Sequence, residues 1–290
     1  MGEKTAGKSD VLVLDIDDGS TSKIPLDVDS PGGKSQPPSR FKTFLAFLFM
    51  AVAMSLNTFA LAFIHDRVPD RSVRPLPDLW FSWFPEVRWT IQVTESLMFV
   101  ALALGLSTLV FHQHRWIALR RVFFINGICY FARAFCISII QTALARMGST
   151  MLSLGMDLYR GRVLCGDLIV SGHTITLVIS YLSVRHYAPR RVSFLLTFLL
   201  GSILLVGVVC ILMARKHYTV DVVLAYFLTS RVFWIYHSLV QEPNCVLNSV
   251  WWSPICRFLE TDAPKIIYNR FQWPSGCPQL IKTRWNNRRR

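Results

Sequence analysis

Acidic residues are scarce: the 290-residue chain holds 18 Asp and Glu against 31 Lys and Arg, a formal charge of +13. Charge of either sign is almost missing from long apolar stretches that fill residues 41–240. No amphipathic helix separates those stretches, which argues against a soluble helical bundle. The basic excess sits in flanks and tails and forms no recognisable reading motif, so nucleic acid is not expected as a partner. The seven cysteines show neither C-x-x-C pairing nor zinc spacing, so no disulfide framework and no structural metal are expected. Cys129, Cys136 and Cys210 fall within apolar stretches, where cysteine serves as a small apolar filler. No hydrophobic leader with a small-residue cleavage site stands near Met1, and no cleaved signal peptide is expected. Internal repeats are missing too.

What is present is a series of hydrophobic blocks at residues 41–64, 89–111, 122–145, 168–184, 192–213 and 220–240. A bilayer's hydrocarbon layer takes about 20 apolar residues to cross as a helix. Only helices or closed barrels satisfy every backbone N–H and C=O there. The fold class expected is therefore all-α: a polytopic membrane protein with six transmembrane helices and a disordered N-terminal tail. Residues 1–40 are polar, rich in Gly, Ser, Pro and Asp, and too poor in apolar groups to bury a core. Residues 41–240 form the membrane domain. Residues 241–290 form a basic tail rich in Trp and Pro; its prolines forbid a long helix, and its tryptophans suit the headgroup interface.

Orientation comes from the short loops. Arg115, Arg120 and Arg121 crowd one, and Arg185, Arg190 and Arg191 another. With an even number of spans these lie on the side of both termini. The longer opposite loops are also basic but less densely so, and one is balanced by Asp66, Asp70, Asp78 and Glu86. The density of positive charge places both termini in the cytoplasm.

Three ionisable residues stand out. His173 opens the fourth block, and His217 precedes the sixth with Asp221 four residues later. The fourth and sixth blocks run in the same direction, so both histidines lie at helix N-terminal ends on one membrane face. Such ends offer unpaired N–H donors and the positive end of a dipole, a natural seat for phosphate. Ser171, Gly172 and Thr174 suit substrate binding there, as hydroxyl donors and a close backbone approach. At i,i+4 spacing Asp221 can hold the Nδ1–H of His217 and leave Nε2 as base or nucleophile. His173 then serves as acid or base on the other side of the reacting atom. The plain alternative is a helix cap and an interfacial polar residue. Copper or zinc binding by the same three residues fits less well, because no further His or Cys ligand is near. Glu95, Arg133 and Arg231 are further charges inside the blocks. Arg133 suits a pair with Glu95, and Arg231 suits a carboxylate or a lipid phosphate; structural ion pairs are an equal alternative.

These motifs resemble the sphingomyelin synthase family. Pro75-Leu-Pro-Asp78 matches its short first signature, and the run from Arg120 to Arg133 its second. Cys165-Gly-Asp-Leu-Ile-Val-Ser-Gly-His-Thr174 resembles the third, and the run from His217 to His237 the long, specific fourth. All stand in family order. The resemblance implies transfer of phosphocholine from phosphatidylcholine to ceramide with release of diacylglycerol, and a catalytic triad on His173, His217 and Asp221. It is similar to the lipid phosphate phosphatases in this arrangement. The phosphatases, however, carry an Arg six residues before the third-motif His, where this chain has Ile211, and their Lys/Arg first motif is not apparent. The tail is too short for the N-terminal SAM domain of some members. The fourth signature and the Val250-Trp-Trp stretch look most like the animal enzymes that use phosphatidylcholine. Implied partners are membrane lipids: phosphatidylcholine, ceramide, diacylglycerol and sphingomyelin. No cofactor is implied. A homo-oligomer is left open, as are choline, ethanolamine or inositol as headgroup, a phosphohistidine or direct transfer, and Golgi or plasma membrane as location. The rivals are a non-catalytic lipid-binding or scramblase-like protein, and a transporter, which would carry inverted repeats and broken helices near the midplane.

Overall fold

Apolar blocks of this length become helices, because a backbone in hydrocarbon finds its hydrogen-bond partners only within its own segment. The computed structural model describes residues 11–14, 21–24, 38–65, 77–138, 170–241, 252–264, 267 and 269–272. The chain divides into two units, residues 1–37 and 38–290. In the first, β1 (Val11–Leu14) pairs antiparallel with β2 (Thr21–Ile24), Val11 opposite Ile24 and Leu14 opposite Thr21. The disordered tail expected here is thus replaced over these eight residues by a ladder. Two short runs rich in Val, Leu, Thr and Ile flank a connection of Asp, Gly and Ser, and such runs favour strand pairing.

Among its described residues the second unit is helical apart from one isolated antiparallel bridge between His112 and Phe271. Its elements are α1 (Arg40–His65), α2 (Leu79–Trp83), α3 (Thr90–Val110), α4 (Arg115–Ser138), α5 (Gly172–Tyr187), α6 (Arg190–Met213), α7 (Thr219–Gln241) and α8 (Ser253–Glu260). Each of the six expected blocks overlaps one of the six longest described helices. Four of them, α1, α3, α6 and α7, are long and apolar enough to cross a membrane. The protein is an integral membrane protein on this count. The other two helices depart for visible reasons. Helix α4 begins at Arg115 and carries Arg120, Arg121 and Arg133, while α5 has only 16 residues.

Helix α5 is the hub. Ile175, Leu177, Val178, Ile179, Leu182 and Val184 are all buried, as a helix surrounded by others must be. It packs against α3, α6 and α7, while α1 lies along α4. Small residues set the close approaches. A Cβ on Gly127 would come within 2.6 Å of the Phe49 ring, and one on Gly207 within 2.8 Å of Leu177 Cδ1. A larger residue at either position would force the facing side chain to move, so glycine favours the close approach of α4 to α1 and of α6 to α5. The outer faces carry large exposed apolar groups, among them Phe44, Leu102, Phe198 and Phe227. Polar groups such as Thr94, Arg133 and Thr229 point inward. That distribution suits a solvent of lipid.

The end where α1 begins is closed by the chain after α7. Pro254 stands in the first turn of α8, where its missing N–H costs nothing. Ser253, Cys256 and Leu259 face inward, and Trp252 packs on Phe124 at 6.4 Å between ring centroids. Trp252 thus rests on the bundle; Trp251 and Trp273 lie outside the described residues. Glu260 accepts from Arg121 Nη2 at 2.7 Å and Nε at 3.0 Å, and from the Tyr236 hydroxyl at 2.9 Å. Asp262 accepts from Arg120 Nη1 at 3.0 Å, Lys42 Nζ at 3.0 Å and the Ser39 N–H at 2.7 Å. These bonds hold the Asp262 carboxyl down at about 2 against the opposing effect of its burial.

Candidate active site

The opposite end of the bundle brings the N-termini of α5 and α7 together. The Ser171 side chain caps α5, accepting from Thr174 N–H at 3.3 Å. The Ser171 N–H donates to the Asp221 carbonyl at 3.4 Å, tying the two helix starts directly. His173 sits in the first turn of α5. Its ring lies 6.2 Å from that of His217, centroid to centroid, at an interplanar angle of 67°. Reacting atoms approach to about 3–3.5 Å in a productive complex. Two imidazoles at this spacing can therefore flank one phosphorus.

His217 is delivered by a sharp turn. Helix α6 ends at Met213, and Arg215 just beyond its cap has φ 52°, a left-handed residue of the kind that closes helices, usually a glycine. Its side chain explains the exception: Nη2 donates to the Phe81 and Phe84 carbonyls, both at 3.0 Å. The guanidinium also covers the Phe81 ring at 5.2 Å. His217 follows two residues later, with its side chain 1% exposed. Burial lowers its basicity well below the ordinary value, and the nearby His173, Arg133 and Lys216 charges act in the same direction. The imidazole is thereby kept neutral, the form that can attack phosphorus.

Asp221 Oδ2 stands 4.0 Å from His217 Nδ1, at ion-pair rather than hydrogen-bond range. The carboxylate meanwhile caps its own helix, accepting from Tyr218 N–H at 2.9 Å. The expected Nδ1–H bond from His217 thus appears here as a longer contact, of the sort that tightens in catalytic complexes.

Ser171, Gly172 and Thr174 are grouped at the same helix start, yet partly occupied. The Ser171 oxygen serves as the cap, and Gly172 backs onto Arg133, whose Cζ a Cβ there would meet at 3.4 Å. Arg231 is not brought to the site. It lies ten residues past Asp221, roughly 15 Å along α7, exposed over the Phe227 ring.

Other residues were not singled out as site residues by their sequence. Arg133, suggested as a partner of Glu95, donates from Nε to the Val170 carbonyl and from Nη1 to Asn57 Oδ1. It therefore anchors the residue just before the α5 cap. Tyr130 donates toward the Gly172 carbonyl at 3.4 Å and meets Thr176 Oγ1 at 2.9 Å. Asp78 caps α2 through Trp80 N–H at 2.9 Å and accepts from Thr219 N–H at 2.9 Å and Thr219 Oγ1 at 2.8 Å. Its partial burial works against the charge, but these bonds win and keep it below the usual carboxylate range. Asp78 therefore fastens α2 across the first turn of α7, beside the Phe81–Tyr218 ring pair at 5.3 Å. Trp80, Phe81 and Tyr130, aromatic rings of the kind that can face a quaternary ammonium, lie at this end. Trp234 lies at the other, 6.2 Å from His186. The signal that could have flagged Arg133 is its charge inside an apolar block.

A pair of histidines at adjoining helix N-termini, with a carboxylate 4.0 Å from one of them, is an arrangement able to receive a phosphate. Known proteins agree with that reading: residues 164–238, which contain both histidines and Asp221, match the PAP2 superfamily C-terminal family. Among curated relatives, sphingomyelin synthase-related 2 of Caenorhabditis elegans is 36% identical, over 93% of this chain and 89% of its own length. Phosphatidylcholine:ceramide cholinephosphotransferase 1 of the same worm is 35% identical over 91% of this chain, which spans 63% of that longer protein. Phosphatidylcholine:ceramide cholinephosphotransferase 2 of Mus musculus is 32% identical, over 93% of this chain and 78% of its own length. The chain belongs to the sphingomyelin synthase family.

Proposed function

We propose that this protein is a phosphatidylcholine:ceramide cholinephosphotransferase, a transferase of sphingolipid metabolism. It moves phosphocholine from phosphatidylcholine to ceramide and releases diacylglycerol. The 6.2 Å approach of the His173 and His217 rings, at the start of two parallel helices, carries the reading. Neutral His217 attacks the donor phosphorus. The bond from phosphorus to the diacylglycerol oxygen breaks, and protonated His173 gives its proton to that oxygen. His173, now neutral, takes the proton of ceramide's primary hydroxyl, whose oxygen attacks phosphorus and displaces His217. Both histidines return to their starting states. Asp221 steadies the positive charge that His217 gains during the first step. The helix N-termini, with Ser171, Gly172 and Thr174, stabilise the phosphoryl oxygens, and Arg133 holds that helix start in place.

In this reading all six long helices cross the bilayer, both termini face the cytosol, and the site opens on the lumenal or extracellular face of the Golgi or plasma membrane. The four helices of sufficient length and apolarity support it, as does the placement of the two helix starts at one end. The headgroup is the specific point to test, since relatives of nearly equal identity carry two different names. Purified protein in vesicles is given labelled ceramide with phosphatidylcholine, phosphatidylethanolamine or phosphatidylinositol as the sole donor, and the products are separated. Sphingomyelin from phosphatidylcholine is the expected product. A product from another donor alone would reassign the headgroup, and no product from any donor would overturn the transferase reading.

A further inference from the structure

A second lipid-sized groove lies at the end of the bundle remote from His173. It runs between α5 and α6, encloses about 760 Å³, and is bordered by Tyr181 and Arg185 of α5 and by Arg190, Phe194, Phe198 and Gly201 of α6. That volume falls within the ~300–1,000 Å³ usual for small-molecule sites. Its construction is graded along the helices. Arg185 and Arg190 stand together at the mouth, on either side of the short α5–α6 connection, and both are exposed. Arg185 Nη1 donates to the Tyr181 hydroxyl at 3.4 Å, which leans the guanidinium toward the groove. Below them the wall is mainly apolar, interrupted by the hydroxyls of Ser193, Thr197 and Ser202, down to Leu205, fifteen residues past Arg190, roughly 22 Å along α6. Gly201 leaves the floor open, since a Cβ there would already touch Tyr181 Cε2 at 3.5 Å.

Two cations at headgroup depth above a long apolar trough match one chemistry: a phosphate-bearing head with acyl chains. We infer that this groove binds an anionic glycerophospholipid of the leaflet opposite the catalytic site, with phosphatidylserine as the probe. The arginines hold the phosphate and carboxylate, and one acyl chain lies against Phe194, Phe198 and the Gly201 floor. A free phosphate would use the arginines but leave the trough exposed; a zwitterionic lipid would fill the trough but present less charge to the arginines. Basic pockets between helices on the cytosolic side are the usual seats of anionic headgroups. The inference rests on α5 and α6 crossing the bilayer and not on the chemistry of His173 and His217.

Native mass spectrometry of the purified full chain from mixed micelles, with equal phosphatidylserine and phosphatidylcholine, reads the retained lipid directly. The native chain is expected to retain phosphatidylserine preferentially. The double variant Arg185→Gln/Arg190→Gln should lose about tenfold or more of that retention. Arg185→Lys/Arg190→Lys should keep most of it, and Gly201→Leu should lose it with the charge intact. Water-soluble glycerophosphoserine in excess should displace none. Transfer activity, followed in parallel, reports folding separately from lipid retention. The inference is overturned if native and neutralised chains retain the two lipids alike, if glycerophosphoserine competes, or if cross-linking at Phe198 finds a second copy of the chain in the groove.

Discussion

At one end of the bundle, Arg120, Arg121 and Lys42 are neutralised by Glu260 and Asp262, every pair within 3.0 Å. At the other, two histidines and an aspartate share a pocket in which no pair is so close: the rings stand 6.2 Å apart, and His217 is 4.0 Å from Asp221. The first end is drawn together by direct ion pairs, and the second spaces its groups further apart. Direct pairs fix helix ends. Wider spacing leaves room for a molecule between the members. The difference separates a charge cluster that holds the fold from the one proposed to perform chemistry, although both look alike as lists of ionisable residues.

That contrast can be broken at either end. The largest effect is expected at Asp221. Asp221→Asn should lower kcat by about 10²-fold or more, because the charge opposite His217 is lost while the shape is kept. Steady-state transfer by protein of unchanged thermal stability checks this. At the clamp the effect should fall on stability instead. Arg120→Gln leaves Asp262 facing one cation fewer, beside a fully buried side chain; removing one partner of such a pair costs about 3 kcal/mol. A drop in melting temperature in detergent, with kcat per folded molecule unchanged, is the expected result. Asp78→Ala should act between the two. It frees α2 from Thr219 and should reduce kcat/KM about fivefold, the equivalent of roughly 1 kcal/mol of hydrogen bonding. The smallest change concerns pH. His217 has a depressed basicity, so its neutral form persists as pH falls below 6.5 and is lost only as pH passes through the lowered value. A pH–rate profile with its acid limb at or above 6.5 would contradict this. The clamp answers to acid separately. Asp262 titrates near 2 in the fold, so its contribution is complete above the ordinary carboxylate range and disappears as pH falls toward 2.

Much of the second unit could be read from the order of residues alone. Long apolar runs give helices whatever their neighbours are, so α1, α3, α6 and α7 fall within a few residues of expectation. The parallel direction of the fourth and sixth blocks was enough to place His173 and His217 at one end. Local spacing also put Asp221 beside His217, though not the contact at 4.0 Å. What escaped is long-range pairing of polar groups, which leaves no periodic trace. Asp78 reaches Thr219 across 141 positions, and Arg120 reaches Asp262 across 142. Arg120 and Arg121 were read as bare positive charge because their carboxylate partners arrive from beyond the last long helix. Arg133 was matched to Glu95, and its hydrogen bonds to the Val170 carbonyl and the Asn57 amide oxygen lay beyond that reading. Arg231, read as a partner for a carboxylate or a lipid phosphate, lies on the outward face of α7, ten residues past Asp221.

The convergence of the two imidazoles on a single phosphorus is tested most directly by a double-mutant cycle. Phosphocholine transfer is measured for His173→Ala, His217→Ala and the double variant, each shown to be folded by its melting temperature. Residues acting on one reacting atom are strongly non-additive, so the double variant should be no slower than the slower single variant. Losses that multiply, or a single variant that transfers at the native rate, would contradict the shared site.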